Sequence, residues 1–170
     1  MNLKKNLVFL GMMGSGKSSV GFLVSKKLNV KFIDIDNIIE NETGMKISNI
    51  FQKKGENYFR NLEEKTTLKF LKTTNAVISL GGGGFINQKI RNEVLTNHFS
   101  FWLNWDFKIL LKKIKNSKKR PIAFNSTNEE IISLMKKRSQ IYSEAEFKIN
   151  CNKLTKNEIV KKVINIYELN

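Results

Sequence analysis

Residues 11–18 read Gly-Met-Met-Gly-Ser-Gly-Lys-Ser, an eight-residue match to the phosphate-binding pattern G-x-x-x-x-G-K-[ST]. Such a loop has to sit between a buried strand and the first turn of a helix, because those flanks aim its backbone N–H groups at the phosphates. Both flanks fit. Asn6-Leu7-Val8-Phe9-Leu10 is a short apolar run of the kind buried on both faces in a parallel sheet. Val20, Leu23, Val24 and Leu28 follow at helical spacing. Gly11, Gly14 and Gly16 allow successive N–H groups to point inward, and Ser15 and Ser19 complete the expected nucleotide-binding set. Lys17 then reaches the β- and γ-phosphates, and the Ser18 hydroxyl is the expected direct ligand of Mg²⁺. A plain Gly/Ser turn before a lysine is the competing reading, and the flanks argue against it. The motif specifies phosphate binding and leaves the reaction open.

The rest of the chain alternates strands and helices. Strands are expected at residues 31–34, 76–80, 99–103 and 147–151, and helices at 36–43, 56–71, 88–95, 107–114, 129–142 and 156–169. A shorter helix marked by Ile47, Ile50 and Phe51 stops near Gly55. With the strand before the loop, five strands alternating with helices require a parallel sheet. Ligands of such sheets bind at the carboxyl ends of the strands, where the phosphate loop, Asp34, Asp36 and the run Gly81 to Gly84 all fall.

At 170 residues and 41% hydrophobic content, the chain is expected to form a single domain, 1–170. No apolar stretch approaches the roughly 20 residues of a membrane span, and the first residues lack a targeting pattern. The single cysteine, Cys151, cannot form an internal disulfide, which suits a cytoplasmic location, and it reads as a small buried residue at a strand end. A monomer is the expected state. The 30 basic against 15 acidic residues give a net charge of +15, but lysine doublets are scattered along most helices and not gathered with aromatics, so no specific nucleic-acid partner is expected. Only Arg60, Arg91, Arg120 and Arg138 are arginines, so these four stand out as candidate forks for carboxylate or phosphate.

Asp34 and Asp36 project toward Lys17 and Ser18, where a carboxylate could hold a water of the Mg²⁺ shell or take the proton of an attacking hydroxyl; the alternative is a helix cap beside a solvated acid. Glycines directly after an apolar strand allow close ligand approach, or form only a loose turn. Arg60 could equally pair with Glu63 or Glu64 along its helix, and Arg138 could be helix surface. Arg120, in the polar insert, is the candidate for an arginine that swings over the γ-phosphate.

Taken in order, these segments resemble bacterial and plant-type shikimate kinase over nearly the whole chain. The resemblance rests on residues 11–18, Phe32-Ile-Asp-Ile-Asp36 with Ile39-Glu40, residues 47–51, Gly55-Glu-Asn-Tyr-Phe-Arg60 with Glu63-Glu64, Ser79-Leu-Gly-Gly-Gly83, Arg120-Pro121, and Arg138 with Tyr142. It implies a three-layer α/β sandwich with a five-stranded parallel sheet, the P-loop kinase architecture of nucleoside-monophosphate kinases, with substrate-binding helices at about 34–62 and a mobile lid at about 116–128. It also implies transfer of the γ-phosphoryl group of ATP to the 3-hydroxyl of shikimate, in the chorismate pathway to aromatic amino acids. By similarity, Asp36 orients or deprotonates that hydroxyl, Arg60 and Arg138 grip the carboxylate, Gly81, Gly82 and Gly83 meet the substrate through backbone N–H groups, and Phe51 and Phe59 wall the ring. Ser18 binds Mg²⁺ directly, Asp34 and Ser79 bind it through water, and Lys17 and Arg120 act in catalysis. Lys112 and Lys113 occupy the neighbourhood where the family often carries an adenine-stacking arginine, and residues 149–153 replace its usual adenine loop.

Two other readings fit the phosphate loop. One is a kinase of the same architecture for gluconate or a nucleoside monophosphate. The other is a non-catalytic switch or basic nucleic-acid-binding module; the nearest match to a guanine-recognition motif, Asn152-Lys153-Leu154-Thr155, lacks its acid.

Overall fold

A computed structural model of the chain describes residue 3, residues 5–115 and residues 126–170. Its elements, in order, are β1 (Leu7–Leu10), α1 (Lys17–Leu28), β2 (Lys31–Asp34), α2 (Ile35–Thr43), α3 (Ile47–Leu71), β3 (Ala76–Ser79), a short 3₁₀ turn (Gly84–Ile86), α4 (Gln88–Asn97), β4 (Phe99–Asn104), α5 (Phe107–Lys115), α6 (Asn128–Tyr142), β5 (Phe147–Asn150) and α7 (Lys156–Glu168). The expected lid lies mostly outside the described residues, and so does Arg120.

The strands form one parallel sheet in the order β2-β3-β1-β4-β5, with β1 at its centre. Period-two alternation along β1 divides the core. Val8 and Leu10 join Ile33, Ile78 and the inner faces of α2 to α6, whereas Leu7 and Phe9 join Val77, Phe101 and Ile149 against α1 and α7. This is the three-layer sandwich. The register fixes where the strands end: Asp34 of β2 lies opposite Ser79 of β3, and Ser79 opposite Phe9 of β1. The segments that leave those ends therefore start side by side on one edge of the sheet.

Local chemistry explains the element boundaries. Asp34 caps α2 by accepting the Asn37 N–H at 3.1 Å, and Gly44 closes that helix in the left-handed region at φ 64°. The helix around Ile50 and the one from residue 56 run nearly end to end, with Gly55 as a non-helical break at φ 82°, ψ 168°. Thr127 and Thr155 start α6 and α7 through capping boxes with Glu130 and Glu158. The fourth glycine, Gly84, opens the 3₁₀ turn. Among the described residues, no helix is long and apolar enough to cross a membrane.

Candidate active site

The phosphate loop leaves β1 at Gly11 and enters α1 at Lys17. Gly11, Gly14 and Gly16 have φ of 135°, 81° and 93°, a backbone path that L side chains rarely adopt. Lys17 is buried, and its ammonium donates to the Gly11 and Met12 carbonyls at 2.9 and 3.0 Å. It therefore lies folded across the loop that it is expected to share with phosphate.

In front of the loop is a cavity of about 870 Å³, lined on the loop side by Gly14, Gly16, Lys17, Ser18 and Ser19. Asp34 from the end of β2 and Asp36 and Glu40 from α2 complete one wall, Phe51, Phe59, Arg60 and Glu63 from α3 another, and Gly82, Gly83 and Arg138 the back. Residues up to 125 positions apart in the chain, Met13 and Arg138, thus converge on one hollow.

The guanidinium of Arg60 is held on both sides. Its Nη1 donates to Glu63 Oε2 at 2.7 Å, and its Nε and Nη2 donate to Glu56 Oε1 at 3.2 and 3.1 Å. Both pairings follow from helical i, i+3 and i, i+4 spacing. The same guanidinium lies over the rings of Phe51 and Phe59, whose centroids are 4.7 Å apart. Arg138 is buried, so it is not merely helix surface, and its Nη1 donates to the Gly82 carbonyl at 3.1 Å. The Tyr142 hydroxyl donates to that same carbonyl, and burial pushes its pKa up to about 12, so it stays a donor. The glycine segment is consequently pinned to α6 by two side chains one turn apart.

Asp36 and Glu63 form a pair of carboxylates at the cavity floor. A Cβ placed on Gly81 would collide with Glu63 Oε1 and lie 2.6 Å from Asp36 Oδ1, so the two oxygens are within about 5 Å of one another and only glycine fits between them. Burial, reinforced by the Glu63 charge, raises the Asp36 carboxyl to about 7; Lys17 opposes this, and Asp34 and Glu40 add to it. Asp36 nevertheless keeps an edge open to the cavity. Burial also raises Glu63, against the pull of Arg60, Arg138 and Lys17. Glu63 Oε1 is buried with no hydrogen-bond partner among the described residues.

Other expected site residues are placed differently. Gly11 packs inward, with a Cβ there meeting the Leu103 carbonyl at 3.1 Å. Ser15 is buried, and its N–H donates to the Met12 carbonyl, so neither its hydroxyl nor its N–H lines the cavity. Ser79 is buried at the end of β3, beside Asp34 and behind the cavity wall. Gly81 lies under the Asp36–Glu63 pair, while Gly82 and Gly83 reach the cavity surface. Arg91 does not line the cavity: it donates to the Phe85 and Ile86 carbonyls and pairs with Glu144 at 3.0 Å, bracing the end of the glycine segment. Cys151 is buried, and desolvation lifts its thiol to about 12, which suits a packing role. Glu63 is the site residue that sequence reasoning missed. Its spacing from Arg60 marked it only as an ion-pair partner, and nothing local revealed that it faces Asp36.

The shikimate kinase family model matches residues 13–168. The chain belongs to the shikimate kinase family. It is 39% identical over 160 residues to a shikimate kinase of Sulfurihydrogenibium sp., an alignment covering 94% of this chain and 96% of that one. Its fold is similar to the shikimate kinase from Acinetobacter baumannii in complex with shikimate, with a TM-score of 0.92 and 27% identity over 97% of this chain and 93% of that one. The crystal structure of shikimate kinase from Aquifex aeolicus is similar at a TM-score of 0.86 and 35% identity, covering 96% of each chain. Membership makes the chain an enzyme and a phosphotransferase, and the P-loop kinase fold expected from the sequence is the one found.

Proposed function

We infer that the chain transfers the γ-phosphoryl group of ATP to the 3-hydroxyl of shikimate, giving shikimate 3-phosphate. The observation that carries this reading is the single cavity that joins a phosphate loop to two arginines and a carboxylate of raised pKa. A small cyclic acid with several hydroxyls matches that set of groups at one end, and a triphosphate matches the loop at the other.

Arg60 and Arg138 are assigned to the carboxylate of shikimate. Their charges come from two different helices, α3 and α6, and a planar fork fixes orientation as well as binding. The tilted faces of Phe51 and Phe59 flank the ring, while Gly82 and Gly83 allow backbone approach where any side chain would intrude. Asp36 receives the 3-hydroxyl. With its carboxyl near 7, it accepts a proton more readily than an ordinary aspartate does, yet is ionised above neutrality. Lys17 leaves the Gly11 and Met12 carbonyls to meet the β- and γ-phosphates, and Arg120 adds its charge at the γ-phosphate.

The donor set fits Mg²⁺. The Ser18 hydroxyl and the carboxylates of Asp34 and Asp36 are hard oxygen groups lining one cavity, and Mg²⁺ keeps most of its waters and uses few protein ligands. Ser18 would hold the ion directly and Asp34 through water, while Ser79, expected from the sequence in the same water shell, is buried beside Asp34 behind the cavity wall; the bound ion would neutralise charge on the transferred phosphoryl group. A monomer acting in the cytoplasm is the assignment that accompanies this function.

The test is ADP release with purified protein, ATP and Mg²⁺ across shikimate, gluconate and nucleoside monophosphates, with the product identified by ³¹P NMR. Shikimate-dependent turnover giving the 3-phosphate is expected. Faster turnover with gluconate or a nucleotide acceptor would overturn the assignment.

A further inference from the structure

Trp105, between β4 and α5, touches the phosphate loop. Its indole Nε1 donates to the Ser15 carbonyl at 2.9 Å, across 90 residues of sequence. That carbonyl does not belong to the ladder of α1, where the Val20 N–H reaches back only to the Gly16 carbonyl. Peptide planarity gives the contact its consequence. No peptide of the described chain is cis, so the Ser15 C=O and the Gly16 N–H point in opposite directions from one rigid unit. A carbonyl held toward Trp105 therefore sends the Gly16 N–H away from it. Gly16 is exposed on the cavity side, and a Cβ built there would meet nothing within 4 Å.

The indole is itself fixed. The Lys113 ammonium lies 3.0 Å from the centre of its ring, an attractive position for a cation over an aromatic face. Its backbone is set by the β4–β5 edge: the Cys151 N–H donates to the Asn104 carbonyl at 2.9 Å, and the Asp106 N–H to Asn152 Oδ1 at 2.6 Å. Asp106 in turn accepts the Lys108 N–H at 2.8 Å and so starts α5. A rigid sheet edge thus carries a single donor to the turn of the phosphate loop. The loop itself has left-handed glycines on both sides of Ser15, at 14 and 16, which leave this peptide easy to flip.

We propose that Trp105 is a positioning residue for the triphosphate: by holding the Ser15 carbonyl, it aims the Gly16 N–H into the phosphate cradle. The ligand class is polyphosphate, not the base. The inference rests on the reading that the loop holds the phosphates of ATP, and a base-free probe separates the two claims.

Tripolyphosphate with Mg²⁺, followed by calorimetry, is that probe. Trp105→Phe keeps an aromatic ring and removes the N–H. It is expected to weaken tripolyphosphate and to raise KM for ATP by similar factors of about ten, with KM for shikimate within about twofold of the parent. The Gly16 amide resonance, which should move strongly when tripolyphosphate binds the parent, should respond far less in the variant. If Trp105→Phe does not fold, a benzothienylalanine at 105 keeps the bicyclic shape and the Lys113 contact without the donor, and the same tenfold loss is expected. Undiminished tripolyphosphate affinity in a folded variant overturns the proposal. So does a loss confined to ATP, which would assign Trp105 to the base, or an equal rise in both KM values, which would mean a merely structural role. Failure of the parent protein to bind ATP would instead strike at the proposed function.

Discussion

Glu63→Gln removes the charge that stands between Arg60 and Asp36 while keeping the side chain's shape. The two carboxylate oxygens are within about 5 Å, so at an effective dielectric constant of about 20 two unit charges there repel by about 3 kcal/mol, or roughly 2 pKa units. Solvent at the cavity-facing edge of Asp36 screens part of that repulsion, leaving an expected fall of about 1 unit. The Glu63 anion favours the protonated form of Asp36, so its removal lowers the Asp36 pKa. Asp36 also faces Lys17, Asp34 and Glu40, none of which the substitution changes. The pH dependence of kcat/KM for shikimate, followed by coupled ADP release between pH 5 and 9, reports the free enzyme's essential base. In the parent the acidic limb should fall near pH 7; in the variant it should fall near 6. Because the carboxylates titrate as a pair, the limb belongs to both, and its direction of movement is the decisive observation. KM for shikimate should also rise at every pH, since Arg60 loses an anionic anchor. A limb that stays at 7 or moves upward would show that Asp36 is not the base tuned by this neighbour.

Asp36→Asn should abolish most turnover yet stabilise the fold. A carboxyl raised from 3.8 to about 7 binds its proton more tightly when folded, so the contribution of Asp36 to stability is fully present below pH 4 and is lost as pH rises through 7; at pH 8 the variant should unfold later than the parent by several degrees, corresponding to about 1–3 kcal/mol after allowance for the open edge of Asp36. A lower melting temperature at pH 8 would contradict the burial argument. Arg138→Lys should raise KM for shikimate about tenfold or more while KM for ATP changes little, since a point charge cannot both hold the Gly82 carbonyl and fork a carboxylate; a change confined to ATP would place Arg138 in the nucleotide half. Gly83→Ala puts a Cβ into the Arg60 guanidinium, so Arg60 must swing away, and KM for shikimate should rise about tenfold with a melting temperature close to that of the parent. Unaltered shikimate kinetics would mean that Arg60 does not hold the substrate in its present position.

The phosphate loop was legible because it is contiguous: one octapeptide supplies the glycines, the lysine and the hydroxyl, and its flanks declare strand and helix by period alone. Asp34 and Asp36 were legible for the same reason, and Asp34 proved to be both a helix cap and a cavity residue. Ser15 shows the limit of such reading. Within the motif it looks like a phosphate contact, but its N–H closes a turn on Met12 and its side chain is buried. Glu63, Tyr142 and Trp105 mark the opposite limit. Each acts on a residue that sequence pattern does not link to it: Glu63 faces Asp36, Tyr142 holds Gly82 and Trp105 holds Ser15.

Local order along the chain was therefore enough to indicate a parallel α/β fold and a phosphate loop, because periodicity, caps and glycines at left-handed positions are written in neighbouring residues, whereas the small acid's pocket was indicated only by the resemblance of widely spaced segments to the family. Only the tertiary structure decided which charges share a hollow. The strand order β2-β3-β1-β4-β5 brings the ends of β1, β2 and β3 to one edge, and packing of α3 and α6 on that side sets Glu63 within reach of both the Arg60 and Arg138 guanidinium groups and beside the raised Asp36 carboxyl. Electrostatic coupling depends on separation and burial, and neither is a property of sequence distance.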